Sequence, residues 1–186
     1  MKRLYLDLET TGISAKQCSI VQIAVIVEID DEVKDSLSIF VKPFEGCVIE
    51  PGAIALSDII PKAQVSGELY KDAYRKVIKL LDSYVDKYNK RDKFFLIGYN
   101  VGFDDSFLRE LWRRCNDSYY GSWFWWPPLD VAVLACQYLR HERRKLENFK
   151  LSTLADYLNI ERQGAAHDAL SDVHLTMKIY KRVSEV

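Results

Sequence analysis

The chain has 186 residues, of which 48% are apolar and 28% are charged, and its formal net charge is −1. This size and composition are typical of one globular domain with a sizeable core, so we expect a single domain over residues 1–186. The near-neutral charge excludes a global basic field, so any binding to a polyanion must depend on local groups and metal ions.

The cysteines and the first residues favour a cytoplasmic protein. The four cysteines lie far apart, at Cys18, Cys47, Cys115 and Cys136. Without a C-x-x-C pair they predict neither a zinc site nor a disulfide scaffold. Asp7 and Glu9 interrupt the first apolar stretch, so no signal-peptide core is predicted, and no uncharged run reaches membrane-spanning length.

Three strands are predicted at the start of the chain. They cover Leu4–Leu8, Ser19–Ile29 and Ser36–Lys42, with a turn at Asp30-Asp31. The second strand is apolar on both faces, which is typical of a strand inside a sheet, and the third is expected to pair with it antiparallel. Residues 44–67 are predicted as a loop because proline and glycine recur there.

Strands and helices alternate in the rest of the sequence. Strands are predicted over Phe94–Tyr99 and, at an edge, near Asp130. Helices are predicted over 68–89, Phe103–Cys115, Val131–Tyr138, Ser152–Tyr157 with Ser152 as the N-cap, and Ala169–Val183. A meander followed by βα units predicts an α/β domain with a mixed sheet and a central first strand. Sites in such sheets form beyond the carboxyl ends of the parallel strands.

Asp7 and Glu9 lie at such an end, in the run Leu6-Asp7-Leu8-Glu9-Thr10. Residues two apart in a strand share a face, so both carboxylates are expected to project together. Two neighbouring acids repel each other, and a hard cation such as Mg²⁺ or Mn²⁺ relieves that repulsion. The alternative is a strand end with two solvated acids.

Two further clusters contain chemically active residues. Asn100 and Phe103 precede Asp104 in the first turn of a predicted helix, where a carboxylate is also favoured by the helix dipole alone. His167 and Asp172 flank the start of the last predicted helix. Both can serve one site only if His167 lies in the loop before that helix; an exposed histidine at a helix start is the alternative.

Together, the three clusters resemble the motifs of the DEDDh 3′–5′ exonucleases. The family motifs are D-x-E-T-T-G, N-x-x-F-D and H-x-x-x-x-D, in this order. They are matched by Asp7, Glu9, Thr10, Thr11 and Gly12, then by Asn100, Phe103 and Asp104, and last by His167 and Asp172. Tyr99 stands where relatives often have histidine.

The resemblance implies a ribonuclease-H-like fold with a mixed five-stranded sheet and a two-metal site holding Mg²⁺ or Mn²⁺. The metal ligands implied are Asp7, Glu9, Asp104 and Asp172, with His167 as the general base. The implied substrate contacts are Thr10, Thr11, Asn100 and Phe103, although Phe103 is equally expected as a core residue. The substrate would be the 3′ end of single-stranded or frayed DNA or RNA, released as nucleoside 5′-monophosphates.

Other functions remain as alternatives. One alternative is a polymerase-associated proofreading exonuclease, and another is a non-catalytic nucleic-acid-binding module with the same fold. A nucleotide phosphohydrolase could use similar metal chemistry. The sequence ends fourteen residues after Asp172, which favours a free enzyme over one with a polymerase-binding tail. A homodimer and a polymerase partner are both left open.

Two segments outside the motifs invite interpretation. The aromatic segment Trp123–Trp126 is predicted mainly as core, with base stacking or partner binding as alternatives. The basic run Arg140–Lys145 could hold a substrate phosphate or be a solvated loop, and the sequence does not separate these.

Overall fold

The computed structural model describes residues 1–56, 58–164 and 168–184. Within these ranges the strands are β1 (Lys2–Thr10), β2 (Ile20–Ile29), β3 (Glu32–Phe40), β4 (Phe95–Gly98) and β5 (Leu129–Asp130). The α-helices are α1 (Pro51–Leu56), α2 (Ile59–Ser66), α3 (Tyr70–Asp82), α4 (Val101–Arg114), α5 (Val131–Tyr138), α6 (Leu151–Tyr157) and α7 (Ala169–Ser184). Short 3₁₀ helices cover Tyr120–Ser122 and Arg143–Lys145.

The sheet is mixed and has β1 at its centre. Its strand order is β3-β2-β1-β4-β5. The pairs β1–β2 and β2–β3 are antiparallel, whereas β1–β4 and β4–β5 are parallel. This topology confirms the predicted α/β class and the ribonuclease-H-like arrangement, and it places the carboxyl ends of three parallel strands at one edge.

Helices cover both faces of the sheet, and the alternation along β1 decides which side chains meet them. Leu4, Leu6 and Leu8 join the core formed with α3, α4 and the buried part of the aromatic segment. Tyr5 joins the opposite core, formed with α5, α6 and α7. The odd-numbered positions of β1 therefore face α7, which directs Asp7 and Glu9 toward that helix.

The predicted loop over residues 44–67 is wrong in part, because α1 and α2 lie within it. Pro51 is the first residue of α1, and Pro61 is the third residue of α2. The N–H groups of a helix's first turn have no intrahelical acceptor, so proline is tolerated there. The prolines thus mark helix starts in this segment and do not interrupt regular structure.

Two element boundaries differ from the sequence prediction for local reasons. Strand β3 begins directly after the turn, since Ile29 pairs with Glu32 and both turn residues have positive φ. Helix α3 ends at Asp82, seven residues before the predicted end. After it, the side chain of Asp86 accepts the backbone N–H of Tyr88 at 3.0 Å and stabilises a turn.

The start of α6 was also predicted wrongly. Ser152 lies inside the helix, whose N-cap is Lys150 without a side-chain capping bond. Asn148 organises this start, because its Oδ1 accepts the Lys150 N–H at 3.0 Å and the Thr153 hydroxyl at 2.7 Å. All four cysteines are free thiols, and no helix among the described residues is long and apolar enough to span a bilayer.

Candidate active site

Three carboxylates from opposite ends of the sequence meet at the carboxyl end of β1. Asp7 and Glu9 project from the strand, and Asp172 lies in the first turn of α7. Each of the three offers one carboxylate oxygen within 4.8 Å of the other two. The structure thus brings together three of the four acids predicted as metal ligands in a single cluster.

Asp104, the fourth predicted ligand, lies beside this cluster in the first turn of α4. Its side chain is buried, and its Oδ1 accepts the Leu8 backbone N–H at 3.0 Å. The register between β1 and β4 ends at Tyr5 and Ile97, so β4 does not reach Leu8. The Asp104 carboxylate therefore accepts the hydrogen bond that a neighbouring strand would otherwise accept, and its negative charge lies next to β1.

The turn from β4 into α4 brings this acid close to β1. A Cβ on Gly98 would lie 3.1 Å from the Leu6 carbonyl oxygen and 3.0 Å from Val101, so glycine permits the approach. Asn100 adopts a left-handed conformation with φ of 57° and makes no side-chain capping bond. Its backbone N–H instead donates to Asp130 Oδ1 at 3.1 Å. The predicted substrate contact of Asn100 stays a prediction.

Three acids of the site, Asp7, Glu9 and Asp104, have raised pKa values. Burial is the main cause of the raised pKa of Asp7, and the charges of Asp104, Asp172 and Glu9 add to it. Burial, with the charges of Asp172 and Asp168, raises the pKa of Glu9 to about 7. Burial also raises the pKa of Asp104, although its bond from Leu8 opposes the change. A buried group of like charges is costly unless a cation compensates it.

The donor set fits a hard divalent cation. All the available ligand atoms are carboxylate oxygens, the type that Mg²⁺ and Mn²⁺ prefer, and none is sulfur or nitrogen among the described residues. Arg162 already supplies one compensating charge, because its guanidinium pairs with Asp172 and lowers the pKa of Asp7. Arg162 was not predicted from the sequence, since a single arginine in a loop has no distinguishing pattern.

A second missed residue, Gln22, anchors the start of α7. Its Nε2 donates to Asp168 Oδ1 at 2.8 Å, and its Oε1 accepts the Ala169 N–H at 3.2 Å. Asp168 also accepts the Ser171 N–H at 3.2 Å, which caps the helix. The available signal was a glutamine in a strand that is mostly apolar. Through these bonds β2 fixes the helix end that carries Asp172.

His167 lies outside the described residues, so its role stays a prediction. The chain on both sides of it is fixed close to the acids. Gly164 has φ of 96°, a conformation that favours glycine, and the Ser171 hydroxyl donates to the Gln163 carbonyl at 2.7 Å. These contacts hold the preceding loop against the first turn of α7.

The predicted substrate contacts differ in their surroundings. Thr10 is half-buried, and its hydroxyl donates to the Gly12 carbonyl at 2.8 Å. Thr11 is fully buried, and its hydroxyl both donates to the Val48 carbonyl and accepts the Ser19 N–H. These bonds fasten the loop after β1, and a substrate contact of Thr11 stays a prediction.

Phe103 is half-buried and packs against Phe107, with ring centroids 4.9 Å apart. The ring packs at the edge of the core and is partly exposed, so this position fits both predicted roles, core packing and substrate contact. Base stacking by Phe103 stays a prediction.

All the comparisons with known proteins indicate the same family for this chain. A family model described as exonuclease matches residues 4–180. Ribonuclease T of Shewanella oneidensis is 28% identical over 117 residues, which are 60% of this chain and 52% of that protein. Ribonuclease T of Pectobacterium atrosepticum is 27% identical over the same length. The chain thus spans about half the length of these relatives.

Solved structures agree over almost the whole chain. A product-bound exonuclease I has a TM-score of 0.78 and 25% identity, covering 98% of this chain and 43% of its own. Escherichia coli exonuclease I in complex with a dT13 oligonucleotide has the same TM-score and identity, covering 99% of this chain and 41% of its own. A zinc-bound form of the E. coli exonuclease I–single-stranded DNA complex is 26% identical, with a TM-score of 0.78 and coverage of 99% and 41%.

Proposed function

Because the chain belongs to the DEDDh 3′–5′ exonuclease family, we propose that it hydrolyses phosphodiester bonds from the 3′ end of single-stranded or frayed DNA or RNA. The observation that supports this most directly is the cluster of Asp7, Glu9 and Asp172, whose oxygens lie within 4.8 Å of one another. Buried Asp104 beside the cluster completes the set of four acids.

The proposal includes two divalent ions, Mg²⁺ or Mn²⁺. Asp7, Glu9 and Asp172 would hold one ion, and Asp104 together with Asp7 would hold the other. When bound, such ions lower the pKa of an attacking water and neutralise the charge on the phosphoryl group.

The protein's own groups move the proton and orient the substrate. His167 is proposed to accept the proton of the attacking water, since the ordinary pKa of histidine is close to neutral. The water oxygen bonds to phosphorus as the bond from phosphorus to the 3′ oxygen breaks. A nucleoside 5′-monophosphate leaves, and the shortened strand retains a new 3′-OH.

Glu9 and the Thr10 backbone are proposed to recognise the terminal 3′-OH, because they lie where β1 ends beside the acids. Phe103 is proposed to stack on a terminal base with its exposed part. A cytoplasmic location is also part of the proposal, and the four free thiols support it.

The test is a time course on 5′-labelled single-stranded DNA and RNA with Mg²⁺ or Mn²⁺, with and without EDTA. We expect a ladder that shortens from the 3′ end and disappears with EDTA. Asp7→Ala and Asp172→Ala should abolish turnover, and His167→Ala should slow it about 10²-fold or more. The rates on the DNA and RNA substrates also establish which sugar is preferred.

Glu147→Ala is the matched control, because Glu147 is an exposed acid away from the cluster. It should degrade substrate at the wild-type rate, and circular dichroism should show that every variant is folded. Near-normal rates in Asp7→Ala or Asp172→Ala, or turnover that persists in EDTA, would contradict the proposed mechanism.

A further inference from the structure

A recess of about 550 Å³ lies beside α4 and contains both cations and aromatic rings. The side chains that define it chemically are Lys93, Arg109, Tyr120, Trp125 and Trp126. None of them belongs to the three motifs, and the proposed reaction at the acid cluster does not use them.

The sheet holds the aromatic segment Trp123–Trp126 rigidly against this recess. Phe94 donates its N–H to the Trp123 carbonyl at 2.9 Å and accepts the Trp125 N–H at 2.9 Å. Trp123 and Phe124 are buried, as predicted for core residues, whereas Trp126 is 73% exposed. The first half of the segment therefore anchors the second half, which presents an indole to solvent.

Positive charge lies directly against these rings. The Arg109 guanidinium carbon is 4.4 Å from the Tyr120 ring centroid and 5.3 Å from that of Trp126. Its Nε donates to Asp105 at 2.7 Å, while 47% of the side chain remains exposed. The Lys93 ammonium lies 5.5 Å from the Trp125 centroid. With Asp105 offset by Arg109, the recess keeps a net positive charge.

Helix α4 connects the recess to the acid cluster. Asp104 faces β1, whereas the next residue, Asp105, accepts the Tyr120 hydroxyl at 2.7 Å and lines the recess. Successive helical residues point about 100° apart, so one turn of α4 presents an acid to each site. The first turn of α4 therefore contributes one residue to the recess and one to the surroundings of the acid cluster.

We propose that the recess binds an unpaired nucleotide of a single-stranded nucleic acid, on the 5′ side of the bond that is cut. The exposed face of Trp126 stacks on the base, and Arg109 and Lys93 contact a phosphate. Aromatic stacking together with basic groups is the usual means of holding single strands without sequence preference. This inference rests on the proposed function, because it places the ligand relative to the cleaved bond.

The test is fluorescence anisotropy with a 5′-fluorescein oligothymidylate of about ten nucleotides, in EDTA so that the strand stays intact. Trp126→Ala should weaken binding about five- to hundredfold, since it removes one stacked base. Trp126→Phe keeps a ring and should bind close to wild type. Tyr88→Ala is the control, because Tyr88 is an exposed aromatic residue outside the recess and should leave affinity unchanged.

A second measurement separates this site from the acid cluster. The p-nitrophenyl ester of thymidine 5′-monophosphate has no nucleotide on the 5′ side of the bond that is cut, so Trp126→Ala should cleave it at the wild-type rate while losing affinity for the longer strand. Wild-type affinity for the oligothymidylate in Trp126→Ala would overturn the inference and favour a packed surface or a protein-binding one. Binding that depends on Trp126 in a protein that degrades nothing would support the recess and contradict the proposed function.

Discussion

Asp104 combines a structural hydrogen bond with a buried negative charge, and the two can be separated by substitution. Asparagine at this position keeps an oxygen that can accept the Leu8 N–H but carries no charge. We expect Asp104→Asn to raise the unfolding free energy of the metal-free protein by about 1 kcal/mol, because a buried charge is removed. Turnover should fall at least about 10²-fold, because a ligand of the second ion is lost.

Urea unfolding in EDTA and a single-strand cleavage assay measure these two effects. Asp104→Leu tests the hydrogen bond separately, since it leaves the Leu8 N–H without its acceptor. An Asp104→Asn protein that is markedly less stable than wild type would show that the charge itself stabilises the fold.

Glu9 makes the stability of the metal-free protein depend on pH. Its ordinary pKa of 4.5 is raised to about 7 in the folded state, mainly by burial. Between the unfolded and the folded pKa, Glu9 is protonated in the folded protein but ionised in the unfolded chain. The free energy of unfolding therefore decreases as pH rises through this range. We expect the melting temperature of wild type in EDTA to fall relative to Glu9→Gln from about pH 5 to about pH 8. A constant difference across that range would contradict the raised pKa.

The sequence identified the acids of the site because their motifs are local. The spacing of Asp7 and Glu9 puts both on one strand face, and the resemblance to the family motifs adds Asp104 and Asp172. Arg162 could not be predicted in this way, because its role depends on an ion pair with Asp172 that forms only in the folded protein. The burial of Thr11 could not be predicted from its motif position either, since it depends on bonds to Val48 and Ser19.

Strand β2 positions helix α7 through two polar residues in an apolar strand. Gln22 bonds to Asp168 and Ala169 at the start of the helix. Glu28 is fully buried and pairs with Lys181 near the other end of the helix and with Arg3 of β1. Both residues are spaced along β2 so that the helix is held at two points, which fixes Asp172 against Asp7.

We expect Gln22→Met to impair this positioning while leaving the sheet intact. Methionine has a similar volume but no hydrogen-bonding amide, so the Ala169 N–H and the Asp168 carboxylate lose a buried partner. Stability should fall by about 1–3 kcal/mol, and kcat should fall while KM changes little.

Gln22→Glu serves as the second variant, because it keeps an acceptor for Ala169 but repels Asp168. Chemical denaturation and steady-state kinetics on a single-stranded substrate measure both effects. If Gln22→Met keeps the wild-type kcat, then β2 does not control the placement of α7.

At the level of elements, the sequence predicted the sheet better than its surroundings. The strand β2 and the alternation of strands and helices after β3 are buried in regular patterns, and these patterns are visible as apolar residues in the sequence. Helices α1 and α2 were hidden because Pro51 and Pro61 are ambiguous: each disfavours a helix interior yet suits a first turn. The end of α3 was hidden because its amphipathic pattern continues past Asp82, where local turns replace the helix.

Across the whole molecule, a bound divalent ion would cross-link β1 and α7. A ligand that binds only the folded state stabilises it by about 2.7 kcal/mol at a hundred times its dissociation constant. For a chain of this size we expect saturating Mn²⁺ to raise the melting temperature by about 5–10 °C.

Asp172→Asn should abolish this increase, and Glu147→Gln should retain it. Differential scanning calorimetry with and without Mn²⁺ measures the shift. An equal shift in wild type and Asp172→Asn would place the stabilising ion elsewhere on the protein.

The distance in sequence between Asp7 and Asp172 also sets an order of events during synthesis. The first carboxylates of the cluster leave the ribosome early, whereas the third is translated only when α7 is made. Until then the nascent chain carries its sheet and most of its helices but an incomplete set of acids. An enzyme of the proposed activity would therefore be inactive beside the messenger RNA that encodes it until α7 has folded onto β2.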